Sequence, residues 1–502
     1  MLNKFIWTAS KLSITTLIAV GSMLSVGSFA QDNEYVEEVV SIGTRGKPRS
    51  VSSSPVPVDV LSAEDISKTG TDDLLMQLQG SIPSLNVHLQ PISDAASMIR
   101  PANLRGLSAD STLITTNGKR RHHASVIAFQ GGGVNDGSQG ADISVIPAIA
   151  LKRVEVLRDG ASAQYGSDAI AGVINFVLDD ISEGGSLSYK MGEYTEGDGA
   201  TSTIAGKYGM PLGQDGFVTT SFQIRQADDT SRSAQRPDAA ALIAAGNTAV
   251  ANPAQIWGAP KIDDDVTFFM NAGVTNSDGS ESYMFGNYSE RDVDGGFYYR
   301  NPDGRSGVFT IGDYRAVGNV DGTCAYGTGA SGQVDPSNYA TRDAIMADPS
   351  CFLMNEIAPG GYTPRFVGTI TDTSFTTGRR GEITDGFLSG YSFDVSGSVG
   401  RNEADFGLNN TVNPSMGPDT PRNFTTGSYI ELEKTFNFDL QKQFDSVSVA
   451  YGAEWREETF EVISGEEASW KAGKYALQGF NVGSHGFAGF SPDSQGAFTR
   501  RS

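Results

Sequence analysis

Cysteine is almost missing from this chain. Its 502 residues hold 2, Cys324 and Cys351, in one Gly/Asp/Asn-rich stretch. In an exported protein such a pair predicts a single loop disulfide; in the cytosol it would be two free thiols. Long apolar runs are also missing. After residue 30 none reaches 18 residues, which excludes a membrane-crossing helix there. Apolar residues make up only 38% of the chain and glycine accounts for 60 positions, a poor composition for a large enzyme core. A membrane β-barrel fits, because only alternate residues need be apolar; a soluble glycine-rich β protein fits composition equally well. Positive charge is scarce, with 37 Lys and Arg against 59 Asp and Glu, a net charge of −22. That balance argues against nucleic acid as a partner. No phosphate loop, nucleophile elbow or metal-ligand spacing occurs, so no catalytic residue, cofactor or metal is assigned.

The N-terminus is informative. Lys4 and Lys11 precede an apolar stretch from Leu12 to Val26, then Ser28-Phe29-Ala30, with no acidic residue before Asp32. This predicts a secretory signal peptide over 1–30 and a mature chain starting at Gln31. In the following segment, 31–47, a polar stretch leads into the β-prone run Glu38, Val39, Val40, Ser41, Ile42, Gly43, Thr44. A free extended run of this kind can add as a strand to a partner's sheet edge.

From 48 to 180 short strands alternate with two short helices, as expected for a small mixed α/β domain. Ser62 and the residues opening at Thr71 give helix-start signals. Arg105-Gly106 precedes the strand beginning at Thr112, and Asn117-Gly118 is a hairpin turn signal. Lys119 to His123 is a basic cluster. Adjacent histidines on a strand point to opposite faces, which suits a shared metal poorly; the cluster is expected to pair with acids of an enclosing wall. The run Gln130, Gly131, Gly132, Gly133, Val134, Asn135 is glycine-rich, equally a flexible connector or a solute-contacting loop. The domain closes on Asp142 to Leu178, read as strand, tight glycine turn, strand, with Arg153, Glu155, Arg158, Gly160, Tyr165, Gly166 and Gly172 in fixed spacing.

That last run, RVEVLRDGASAQYGSDAIAGVINF, closely resembles the end of the plug domain of TonB-dependent outer-membrane receptors. Arg105-Gly106 and Asn117-Gly118 resemble further plug motifs, although Thr115-Thr116 stands where the family has an apolar pair. The resemblance implies that Glu38 to Thr44 is the TonB box, docking a TonB-type energy transducer of the inner membrane. It implies a plug over 48–180 inside a 22-stranded barrel, and loop 130–135 touching solute.

From Gly184 the pattern becomes period two. Val218, Phe222 and Ile224 share one strand face while Thr219, Ser221, Gln223 and Arg225 share the other. About nine such strands are expected over 184–502, with long loops at 292–371 and 408–428. Nine strands cannot close around the plug, and Arg500-Arg501-Ser502 ends no aromatic-terminated strand. The expectation is therefore a partial barrel, lacking the C-terminal half. The implied function is active uptake of a scarce large solute across the outer membrane: a siderophore or other metal chelate, cobalamin, an oligosaccharide or a peptide. The alternatives are a non-transporting cell-surface β protein and a truncated, non-functional receptor fragment.

Overall fold

The computed structural model describes residues 39–40, 42, 49–50 and 57–501, apart from 69, 72, 88–91, 93, 129–132, 446 and 483–488. The expected signal peptide, Glu38, Ser41, Gly43 and Thr44, and loop residues Gln130, Gly131 and Gly132 lie outside the described residues.

Local chemistry sets the N-terminal elements. Val58–Ser62 (β1) ends on Ser62, whose hydroxyl accepts from the Asp65 amide at 3.1 Å and caps the helix Ala63–Ser67 (α1). The second helix, Leu74–Ser81 (α2), starts later than its Thr71 signal suggests, because the side chain that caps it is Asp73, accepting from the Met76 amide. Leu85–Val87 (β2) pairs with Ala102–Leu104 (β3). Thr112–Thr116 (β4) turns into Lys119–Arg120 (β5) through Asn117 and Gly118, both at positive φ, the two-residue turn their sequence signals. Leu151–Leu157 (β6) and Gly172–Leu178 (β7) lie antiparallel, with Val154 opposite Phe176 and Val156 opposite Ile174. Between them the expected turn includes one helical turn, Ser162–Tyr165.

These strands form a sheet in the order β1-β6-β7-β4-β5, with β4 parallel to β7. Leu75, Leu78, Leu104, Val154, Ile174 and Phe176 fill its core. Each such side chain contributes roughly 1.5–3 kcal/mol of burial.

The remaining strands make one antiparallel meander of ten: Gly185–Gly192 (β8), Thr201–Pro211 (β9), Gly216–Ala227 (β10), Lys261–Thr275 (β11), Glu281–Gly296 (β12), Arg365–Ile383 (β13), Tyr391–Asn409 (β14), Phe424–Gln443 (β15), Ser448–Ser464 (β16) and Gly496–Arg501 (β17). Every neighbour in space is a neighbour in sequence. The first and last strands are not paired with each other, so the described residues form an open sheet. Connections at one end are short (212–215, 276–280, 384–390, 444–447); most at the other are long (228–260, 297–364, 410–423, 465–495). Alternation is visible along β11, where Asp265, Thr267, Phe269 and Asn271 are buried while Val266 and Phe268 are exposed. Leu187, Tyr189, Phe436 and Tyr451 stand on the same outer side of their strands. No described helix is long and apolar enough to cross a membrane.

The expected loops are shorter than the sequence suggests. Strands β12 and β13 run on to Gly296 and back to Arg365, and β15 begins at Phe424. Their buried apolar residues Val293, Phe366 and Ile370 share a face with Gly295 and Gly368, which interrupt the apolar alternation; Arg365 Nε donates across the pair to Asp294 at 2.7 Å. The connection 297–364 is itself folded. Its helix Tyr339–Met346 and the Cys324–Cys351 disulfide enclose a small core of Val317, Val334, Ile345 and Leu353.

Candidate functional site

The N-terminal domain sits against the inward face of the wall, and every strand from β9 to β16 touches it through a polar side chain. Its basic cluster is where the contacts concentrate. Lys119 Nζ lies 3.0 Å from Asp394, and Arg120 pairs with Asp168 inside its own domain. The cluster thus meets acids of the wall, as its charge predicts.

Asp372 of β13 is the hub. Its buried carboxylate accepts from Arg121 Nη2 at 2.7 Å, Asn287 Nδ2 at 2.8 Å and Asn402 Nδ2 at 3.0 Å, with His122 Nε2 at 2.9 Å. All four lone-pair directions of the carboxylate are engaged. The ring of His122 lies flat on the wall backbone at Gly400, where a Cβ would stand 2.2 Å from the ring; only glycine permits that approach. Asn402 Oδ1 in turn accepts from the Ser125 amide and hydroxyl at 2.8 and 2.9 Å. A second buried pair, Asp142 with Arg291 at 3.2 Å, repeats the arrangement nearby.

His123 points away from its neighbour, toward β15 and β16. Its Nδ1 is 3.5 Å from Glu433 and from Glu458. Burial works to lower the imidazole pKa, but the contact with Glu458 and the charges of Glu433 and Asp168 outweigh it and raise the value above normal.

The motif residues form the frame that aims this cluster. Glu155 accepts from Arg153 Nε at 2.8 Å and from Asn175 Nδ2 at 3.1 Å. Asn175 Oδ1 accepts from Thr115 Oγ1 and from the Gly118 amide, both at 2.9 Å. Thr115, in place of an apolar residue, is therefore the end of a buried polar chain that pins the hairpin turn. Asn117 takes the Leu178 amide at 2.9 Å and donates to Asn271 of the wall at 3.2 Å. Arg158 pairs with Asp59, and Arg105 reaches Asp159 at 3.6 Å. Arg105 and Gly106 both adopt positive φ in the turn before β4, and Gly166 does so at the end of the helical turn, next to Tyr165. Gly160 N is satisfied by Asp159 Oδ1 at 2.8 Å. At Gly172, φ is +152° and a Cβ would lie 2.1 Å from the Leu157 carbonyl, so β6 and β7 can pair only around a glycine.

Two expected sites change character. Val39–Val40 is already paired, with Arg49–Ser50, and Ile42 is 2% exposed among Val58, Leu113, Leu157, Ala161 and Val173. Among the described residues of the expected docking segment, Ile42 therefore packs on the plug motif rather than lying free. Asn135, on a loop expected to be either a flexible connector or a solute contact, is buried: it exchanges hydrogen bonds with Asn103 at 2.6 and 2.7 Å and accepts from the Ala109 amide at 3.1 Å. A side-chain amide so occupied closes the loop base and offers nothing to a ligand. Gly133 remains exposed. Asp372, Asn402, Glu433 and Glu458 carry the interface and Asn175 the frame behind it, and the sequence reading did not single them out.

An open, polar-faced wall of long strands against a small α/β domain defines a partial, plugged β-barrel fold. Residues 50–173 match the family model described as TonB-dependent Receptor Plug Domain. The chain is 28% identical over 165 residues to the iron-regulated outer membrane virulence protein of Vibrio cholerae, covering 33% of this chain and 23% of that protein. It is 29% identical over 175 residues to the ferric enterobactin receptor PirA of Pseudomonas aeruginosa, covering 33% and 23%. A crystal structure of a variant of the ferric enterobactin receptor PfeA of Pseudomonas aeruginosa superposes with a TM-score of 0.52 at 15% identity, over 89% of this chain and 54% of that one. The chain thus matches under a quarter of the curated relatives' length and about half of the solved receptor. Residues 50–173 thus match a TonB-dependent receptor plug, and the fold is similar to that of the solved receptor.

Proposed function

We propose that the chain serves as the plug and adjoining wall of an outer-membrane TonB-dependent transporter, with a signal peptide at 1–30, the transducer-docking segment at 31–47, the plug at 48–180 and the wall at 184–502. The apolar outer face of the strands would meet lipid and the polar inner face the plug. The single observation that carries this is the buried ion-paired seam centred on Asp372, which joins plug to wall through discrete, directional contacts beside the apolar contact of Met98 and Val126 with Phe366 and Phe406. Ile42 supports a route for the force. Strand addition by a transducer at Glu38 to Thr44 would pull on a side chain packed against β1, β4 and β6, and so on the plug sheet itself. No bond of the solute changes, so the chain acts as a transporter and not an enzyme. The relatives named for iron regulation and ferric enterobactin favour a ferric siderophore as the solute class.

The test is energised uptake. Cells carrying the protein should accumulate iron-55 delivered as ferric catecholate, and deletion of residues 38–44 should abolish accumulation while leaving surface binding. Uptake that survives this deletion, or a protonophore, would rule out the energised transport reading.

A further inference from the structure

We infer that His123, Glu433 and Glu458 form a binding site for a divalent transition-metal ion of the zinc type, bridging plug and wall. The three candidate ligand atoms lie within 4.8 Å of one another. His123 Nδ1 is 3.5 Å from each carboxylate oxygen, long for a charge-assisted hydrogen bond of about 2.7–2.9 Å. It matches the edge of a tetrahedron with bonds of about 2.0–2.2 Å. An imidazole with two carboxylates is a donor set that zinc accepts.

Two independent features point to a missing cation. Glu433 and Glu458 are direct partners across β15 and β16, on the inward face. Like charges placed opposite each other on neighbouring strands destabilise the pair. Glu433 is 3% exposed, yet its Oε2, the atom facing His123, has no hydrogen-bond partner. A buried carboxylate oxygen without a partner is costly unless a cation stands beside it. The neighbouring cations are shared among several acids. Arg456 lies 3.4 Å from Glu458 but also pairs with Asp168, which Arg120 shares. Glu431, near the same ring, takes only the amide of Gln139 at 3.0 Å. Glu431, Glu433, Glu458 and Asp168 share Arg120, Arg456 and Arg500, the last opposite Glu458 in the ladder, and none of these cations is a hydrogen-bond partner of Glu433 Oε2. A divalent ion would give that oxygen a partner.

Because one ligand comes from the plug and two from the wall, an occupied site staples the seam beside the Asp372 hub. Metal bound there would slow plug displacement without being the cargo.

The experiment uses the full chain in detergent, purified without a histidine tag and stripped with chelator. Zinc is titrated in competition with a chromophoric chelator. One ion per chain is expected, with at least tenfold weaker binding in H123A, E433Q and E458Q and unchanged binding in H88A/H485A, which removes the other imidazoles outside the basic cluster. Hydrogen exchange at the Ala124 amide should slow on adding zinc to the parent protein and not to H123Q, chosen to keep the side-chain volume. X-ray absorption of the loaded parent should show a single imidazole nitrogen with oxygen ligands, a readout that needs no variant to fold. Absence of stoichiometric zinc binding, equal affinity in H123A, or a shell without imidazole would each overturn the assignment.

Discussion

Replacing Asp372 with asparagine should loosen the plug from the wall more than any other single neutral change at the seam. The substitution keeps the size and hydrogen-bonding shape but removes the charge. Arg121, 3% exposed by its side chain, then keeps a buried guanidinium facing Asn287 and a neutral amide. His122 loses its only ionic partner among the described residues. Breaking one side of a buried pair costs about 3–5 kcal/mol, chiefly because the other charge is left uncompensated. The assay is native-state hydrogen exchange on protein folded in lipid, read at the Arg121 amide, bonded to Ile114 O at 3.0 Å, and the Ser125 amide, bonded to Asn402. At 1.4 kcal/mol per decade the expected loss of protection is roughly two to three and a half orders of magnitude. The companion variant Arg121→Met removes the stranded charge. In the double variant much of the loss should return, a coupling of at least about 1 kcal/mol. A D372N protein whose amides exchange within threefold of the parent would refute the hub. Additive effects of D372N and R121M would show that the two groups do not depend on each other.

Replacing Cys324 and Cys351 with serine opens a loop spanning 27 residues, worth about 3.5 kcal/mol of chain entropy; amides around Val317, Ile345 and Leu353 should lose protection while the plug amides do not. Gly172→Ala should cost several kcal/mol, since its Cβ meets the Leu157 carbonyl at 2.1 Å, and should appear as plug proteolysis in membranes where the wall remains intact. Acid should act on the plug through Asp73. Burial raises its carboxyl pKa, but Arg100 and Arg225 outweigh this and hold it below the usual carboxylate range. A depressed carboxyl stabilises the fold above its unfolded pKa of about 3.9, and that stability is lost as pH falls through the folded value. Asp73→Asn keeps the cap on the Met76 amide and removes the pair with Arg100, so it should lower plug stability at neutral pH and flatten its decline in acid, followed by tryptophan-independent circular dichroism of the plug helices.

Elements whose chemistry is local were legible. Ser62 caps its helix through a contact three residues away, and Asn117-Gly118 makes its turn with its own dihedrals. Period-two alternation in 216–227 is a property of one strand and needs no partner. The strand ends at 292–296 and 365–371 were not legible, since Gly295 and Gly368 interrupt the buried apolar face of Val293, Phe366 and Ile370. The same limit explains the seam. The basic run 119–123 announces that acids must lie opposite, but Arg121 and Asp372 are 251 residues apart, and nothing near Asp372 distinguishes it from the other acids of an acidic chain. Position in the fold decides it: Asp372 is on an inward strand face, opposite Asn402 and diagonal to Asn287, so both amides can share its lone pairs. Asn135 errs for the complementary reason. A glycine-rich run reads as an exposed loop, yet one amide at its foot reaches Asn103, 32 residues earlier, and is buried by it. Alternation along a strand explains His122 and His123 together. Adjacent residues face opposite ways, which counts against both binding one metal. The same divergence sends His122 to a carboxylate already saturated with donors and His123 to two that are not, so the argument that excludes a paired-histidine site is the one that leaves His123 free to complete a site with the wall.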